Sequence, residues 1–211
     1  MQVFLPGEEG GHAVAQLLAG RANFSGKLPV QLPTTPGGQP YTCLHAPLGD
    51  RQSWLSNLDP TPAFPFGHGL SYTTFEIDGL GVDRELVAVD SEFTVGVRVR
   101  NTGAVAGAET VQLYAIDPVA QVTRPVRFLL GFAKVALEPG EQATVRFHVH
   151  TDRLAFTGLA GTRIVERGEI LLEAGSSSLD TPVRETIQLV GEERDATVLR
   201  QHAVPVSVER E

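Results

Sequence analysis

The chain has 211 residues, enough for one large domain or for one ordinary domain plus part of another. Hydrophobic residues make up 42% and charged residues 20%, an ordinary globular balance that argues against disorder. The net charge of −8 comes from 17 basic and 25 acidic residues; the basic ones are scattered, which argues against a nucleic-acid partner.

No apolar run approaches the ~20 residues of a membrane span, so no membrane partner is expected. The opening MQVFLPGEEGG has neither a basic leader nor a long apolar stretch, so no signal peptide is expected and a cytoplasmic location is slightly favoured. Cys43 is the only cysteine, so an internal disulfide is excluded. Asn23-Phe24-Ser25 fits the glycosylation pattern, which is short enough to recur by chance.

In chain order, Val3 to Leu5 read as the end of a short buried strand. PGEEGG, Pro6 to Gly11, opens a helix with Glu8 and Glu9 in its first turn, where carboxylates meet free N–H groups. Ala13, Val14, Leu17 and Leu18 form its apolar face, and Gly20 ends it as a left-handed cap. Leu28, Val30 and Leu32 alternate, and with Pro29 and Pro33 they predict a short edge strand over Gly26 to Pro33. Strand, helix and strand make one βαβ unit, which cannot bury both faces alone.

Residues 34–66 are proline-rich and show little periodicity. Trp54, Leu55, Leu58, Phe64 and Phe66 supply apolar anchors, so the stretch reads as an ordered wrapping segment. From residue 74 the period becomes two. Phe93, Val95, Val97 and Val99 alternate with polar residues, as do Val111, Leu113 and Ala115, then Ala143, Val145, Phe147 and Val149. Ile170, Leu172, Ala174, Ile187 and Leu189 continue the pattern. Asn101-Thr102-Gly103, Pro139-Gly140-Glu141 and Gly175-Ser176 mark turns. Six or seven such strands predict an antiparallel β-sandwich of immunoglobulin or fibronectin III type over residues 74–192. Residues 193–211 read as a tail, partly frayed, with a late strand at Ala203 to Val208.

Three blocks are more specific than composition: LPGEEGGHAVAQLLAGRANFSGKLPVQLP (Leu5 to Pro33), LDPTPAFPFGHGLSYTTFE (Leu58 to Glu76) and VRNTGAVAGAETVQLYAIDPVAQVTRPVRFLLGFAKVALEPGE (Val99 to Glu141), the last continued by GEILLEAGSSS (Gly168 to Ser178). Their order and spacing resemble the C-terminal portion of glycoside hydrolase family 3 enzymes, β-glucosidases and β-xylosidases. The resemblance implies the end of the α/β domain over residues 1–33, a wrapping segment and junction over 34–73, and a fibronectin III-like domain over 74–192. The overall class it implies is mainly β, with a partial α/β remnant in front.

The resemblance also implies what this stretch lacks. The family's aspartate nucleophile lies in an N-terminal barrel, within a Ser-Asp-Trp or Ser-Asp-Tyr motif that does not occur here. Its acid/base glutamate lies upstream of the Pro-Gly-Glu-Glu-Gly-Gly block. Retaining hydrolysis needs two carboxyl groups ~5 Å apart. No catalytic, substrate-binding or metal-ligating residue is therefore assigned, and no cofactor is expected.

Other candidates read more simply as structure. Adjacent helical Glu8 and Glu9 point in different directions, so they cannot face each other across a sugar. His148 and His150 share the solvent face of a strand, with no third ligand apparent. His12, His45, His68 and Ser71 lack a nucleophile elbow, and His68 between two glycines marks a close backbone approach. Gly37-Gly38 lacks a phosphate-loop context. Tyr41, Trp54 and Tyr72 suit either a sugar subsite or interdomain packing.

Two functional classes follow. One is the non-catalytic C-terminal part of a retaining exo-β-glycosidase, β-glucosidase-like or alternatively a β-xylosidase, whose partner would be a β-linked oligosaccharide or glycoside. The other is a stand-alone fibronectin III-like module binding carbohydrate or protein. The incomplete βαβ unit favours the first, and its apolar face predicts that the segment either folds back on the sandwich through Trp54, Phe64 and Phe66 or pairs with a second copy through the Leu28 to Leu32 edge.

Overall fold

The structure, a computed structural model, describes residues 1–35, 42–51, 54, 57 and 59–210. Among these residues one α-helix, α1 (Gly10–Leu18), precedes twelve strands: β1 (Phe75–Val82), β2 (Leu86–Ala88), β3 (Glu92–Asn101), β4 (Gly107–Ile116), β5 (Phe128–Leu137), β6 (Gln142–His150), β7 (Phe156–Thr157), β8 (Arg163–Val165), β9 (Gly168–Gly175), β10 (Val183–Val190), β11 (Arg194–Asp195) and β12 (Val206–Arg210). Four form an antiparallel sheet in the order β1-β3-β6-β12. Five form a second sheet, β2-β10-β9-β4-β5, antiparallel except where β2 runs parallel to β10. A small sheet, β11-β8-β7, adds Val165 to the core cluster.

The two large sheets pack as the alternation requires. Phe93, Val95, Val97 and Val99 of β3 and Val145, Phe147 and Val149 of β6 meet Val111, Leu113 and Ala115 of β4, Ile170 and Leu172 of β9, and Ile187 and Leu189 of β10 in one buried cluster. Period-two patterning puts one face of each strand inside, which is why the expected core residues are buried together. β5 departs from simple alternation, because its register against β4 slips by one residue between Leu113 and Tyr114. The bulge explains why Leu130 and Ala133, three residues apart, are both buried.

The expected late strand is present as β12. It extends the four-stranded sheet by pairing Val206 with Phe147 and Val208 with Val145.

The front of the chain differs in detail from expectation. The helix starts at Gly10 with Glu9 as its N-cap residue, so Glu8 and Glu9 lie before the first turn. Gly7, at φ +68°, makes the turn that sets this start. Gly20, at φ +70°, ends the helix as expected. Val3 to Leu5 form no strand and are exposed, with Leu5 at 98%. Gly26 to Pro33 bends at Pro29 and Val30, and its described backbone bonds to the junction are a bridge, Leu32 to Phe64, with Leu28 N–H to the His68 carbonyl and Gly67 N–H to the Leu28 carbonyl. A regular strand needs a neighbouring ladder, and among the described residues only the junction supplies one. The helix face is open too: Leu18 and Ala13 are exposed, Val14 and Leu17 half-buried.

Candidate functional site

The chemistry-bearing feature of this chain is the seam between its front segment and the sandwich. β4 lies between β9 and β5, so its inner face fills the core while its outer face would be open. The junction covers that outer face. Gln112 and Tyr114 are buried there, and the Tyr114 hydroxyl donates to Gln112 Oε1 at 2.5 Å. Gln112 Nε2 donates to the Gly67 carbonyl at 3.2 Å and also to the Ser176 carbonyl. Ser178 N–H donates to the Phe66 carbonyl at 2.9 Å. Arg127 binds the Ser178 carbonyl and pairs with Glu173 at 3.3 Å. Burial drives the Tyr114 phenol well above its ordinary pKa, so it stays protonated as a donor.

Two glycines of the junction motif explain themselves here. Gly67 adopts φ +81°, and a Cβ on it would collide with the Gln112 amide. A Cβ on Gly69 would collide with the Gly26 carbonyl. His68 sits where the two backbones meet, its ring 5.1 Å from that of Phe64, as its glycine flanks predict.

The other end of the junction is tied down by side chains that pattern reasoning did not single out for this role. Asn23 Oδ1 accepts from Ser71 Oγ at 2.9 Å and Tyr72 N–H at 2.8 Å, while Nδ2 donates to the Ala106 carbonyl at 2.9 Å. Thr73 Oγ1 donates to the fully buried Asn101, which also bonds Val105, Leu137 and Gly103. Lys27 pairs with Glu109 at 2.7 Å. The sequence did carry a signal for Glu109: it shares the parity of Val111, Leu113 and Ala115, and a carboxylate in an apolar alternation implies a buried partner.

The expected aromatic candidates divide. Tyr72 packs edge-on against Phe24 at 5.2 Å and donates to the Leu17 carbonyl at 2.8 Å, so it packs the junction against the front segment. Trp54 is 76% exposed. Tyr41, Gly37, Gly38, Leu55 and Leu58 lie outside the described residues. Phe64 and Phe66 are at the seam, Phe64 half open.

His150 is not on a solvent face, contrary to the strand alternation. The C-terminal segment covers it, because Gln201 bridges the edge of β6, accepting from His150 N–H at 3.0 Å and donating to the His148 carbonyl at 3.1 Å. His150 Nδ1 accepts from Asp152 N–H at 3.1 Å, which requires that nitrogen unprotonated, and burial beside Arg194 lowers its pKa. Asp152, fully buried, is held by Arg194 and by Arg200 N–H. Arg194 and Arg200 also pair with Asp90. His148 instead faces Thr94 and Ser207, so the two histidines do not converge on one point. Among the described residues no cluster of three or more His, Cys, Asp or Glu could hold a metal ion.

A cavity of about 160 Å³ lies beside the seam, lined in part by Cys43, His45, Asp50, Arg51 and Arg127. Its polar side chains are engaged: His45 Nε2 lies 3.4 Å from Asp50 and Arg51 pairs with Asp59 at 3.2 Å. Burial pushes the Cys43 thiol up in pKa, which makes it a poor nucleophile.

A fibronectin III-type sandwich joined to a one-helix front segment through a glycine-bracketed junction is the class of fold that the described residues define. Residues 1–72 match the glycosyl hydrolase family 3 C-terminal domain and residues 109–178 match the fibronectin type III-like domain, so the chain belongs to glycoside hydrolase family 3 and corresponds to its C-terminal part. It is 38% identical over 180 residues to a β-xylosidase of Formosa agariphila and 38% identical over 203 residues to the thermostable β-glucosidase B of Acetivibrio thermocellus, covering 84% and 90% of this chain. Among solved structures it resembles a β-glucosidase of Erythrobacter marinus (TM-score 0.82, 41% identity, 89% of this chain and 24% of that one) and one of Listeria innocua bound to glucose (TM-score 0.82, 31% identity, 90% and 28%). The chain spans about a quarter of the curated relatives it matches, 25% and 26%.

Proposed function

We propose that this chain serves as the non-catalytic C-terminal brace of a retaining exo-acting β-glycosidase that acts on β-linked oligosaccharides or glycosides. The carrying observation is the seam: the front segment and the sandwich are joined by buried, paired polar groups, the arrangement expected of a support rather than of a tethered binding module. Residues 1–33 then belong to the α/β domain, 34–73 to the wrapping segment and junction, 74–192 to the sandwich, and 193–211 to a tail strapped across it. The exposed Phe4, Leu5, Leu18 and Val30 are, on this reading, surface that the rest of the α/β domain covers. In the isolated chain the same residues drive self-association.

Glucoside or xyloside preference belongs to the barrel, outside this stretch, and the relatives include enzymes named for each sugar. The test is hydrolysis of aryl β-glucoside and β-xyloside by the 211-residue chain at high concentration. No turnover is expected, because the family resemblance puts both carboxyl groups that retention requires outside this stretch. A turnover abolished by one substitution within this chain would overturn the proposal.

A further inference from the structure

Lys27 and Glu109 form an ion pair at 2.7 Å whose side chains are only 12% and 9% exposed. Three separate pieces of chain meet there. Lys27 lies in the extended front segment. Glu109 lies on β4, whose Val111 and Leu113 face the core. Lys27 Nζ also donates to the Gly69 carbonyl of the junction at 3.1 Å. Two residues away, the Lys134 ammonium on β5 donates to Ser25 Oγ at 2.7 Å, an exposed contact.

We propose that Lys27 and Glu109 are a positioning pair, a docking key that selects one seating of the front segment and junction on the sandwich. Apolar contacts and exposed hydrogen bonds tolerate sliding by a residue or a rotation of the segment. A charge with little access to water does not, because any other seating leaves an ammonium and a carboxylate desolvated and unpaired. The pair therefore adds specificity of arrangement more than net stability, as buried polar groups do where one register must be chosen. Lys27 cannot reach Glu109 unless the Gly26 and Gly69 backbones approach closely, and the absence of a Cβ at Gly69 allows that approach. The bearing of this key on catalysis rests on the reading above, since it would set the angle between the sandwich and the α/β domain. The docking itself does not depend on that reading.

Hydrogen exchange on the full chain tests it, in Lys27→Met, Glu109→Gln, the double variant, and Lys134→Met as a control for loss of an exposed contact. The reporters are the amides of Leu28 and Gly67, whose bonds close the seam, against those of Val97 and Val145 inside the sandwich. Each single variant should speed exchange at Leu28 and Gly67 at least ~10-fold, the scale of an unpaired buried charge, and leave Val97 and Val145 unchanged. The double variant should be no faster than the faster single one, because the second substitution removes a charge already without its partner. Lys134→Met should leave all four amides unchanged. Unchanged Leu28 and Gly67 in the singles, equal acceleration in the sandwich, or effects that multiply in the double variant would each overturn the proposal. These outcomes are read without any glycosidase assay, so they stand apart from success or failure of the functional reading.

Discussion

Replacing Phe147 by Ala probes the sandwich most sharply. Phe147 is fully buried at the centre of β6, paired with Val95 on one side and Val206 on the other. Its ring reaches across to the five-stranded sheet, where Gly131 leaves room for it: a Cβ there would stand 3.2 Å from Phe147 Cδ1. Removing a ring that buries ~150–200 Å² at ~25 cal/mol per Å² costs about 4–5 kcal/mol. Partial collapse of the cavity places the expectation at ~3–5 kcal/mol. The neighbouring Arg146 is the internal control. Its side chain is 42% exposed and its ion pair with Glu209, at 2.9 Å, faces water, so Arg146→Ala should cost far less than Phe147→Ala. Urea unfolding followed by far-ultraviolet circular dichroism reads both, with equal denaturant slopes required for the comparison. Equal costs at the two positions would refute the assignment of faces.

Three further outcomes are expected. Asp152→Asn should destabilise the fold by ~3–5 kcal/mol in the same urea assay, because the mostly buried Arg194 guanidinium would lose its carboxylate partner and the Arg200 backbone N–H its charged acceptor. The His150 pKa is lowered in the folded chain, so the unfolded chain binds its proton more readily; its contribution is present above the ordinary histidine pKa of ~6.5 and is lost as pH falls below it. Thermal melts from pH 8 to 5 should therefore show a decline that flattens in His150→Asn, and an unaltered slope would refute the link. Gly67→Ala should cost about 2–3 kcal/mol in thermal unfolding, from a left-handed backbone and a displaced Gln112 amide, whereas a neutral effect would show that the junction does not pin Gln112.

The sandwich was legible because alternation is a local property. Phe93, Val95 and Val97, then Val145, Phe147 and Val149, can be assigned to one face without knowing their neighbours, and a sheet has only two faces. The junction was legible for a related reason: Gly67 and Gly69 bracket His68 where only glycine fits. The short motifs of the front segment were a weaker guide. Val3 to Leu5 and Leu28 to Leu32 carry strand patterning, yet a strand is completed by its partner, and the described chain supplies only the Phe64 to His68 backbone. What pairs with what across long separations was decided by tertiary structure alone. Alternation put His150 in solvent, and the return of the C-terminal segment covered it, with Gln201 on its backbone and the Arg194 and Arg200 charges close by. The partner of Glu109 lies 82 residues earlier, at Lys27, and nothing local in either residue names the other. Periodicity reports which way a side chain faces, whereas the compensation of a buried charge depends on where the rest of the chain comes to lie.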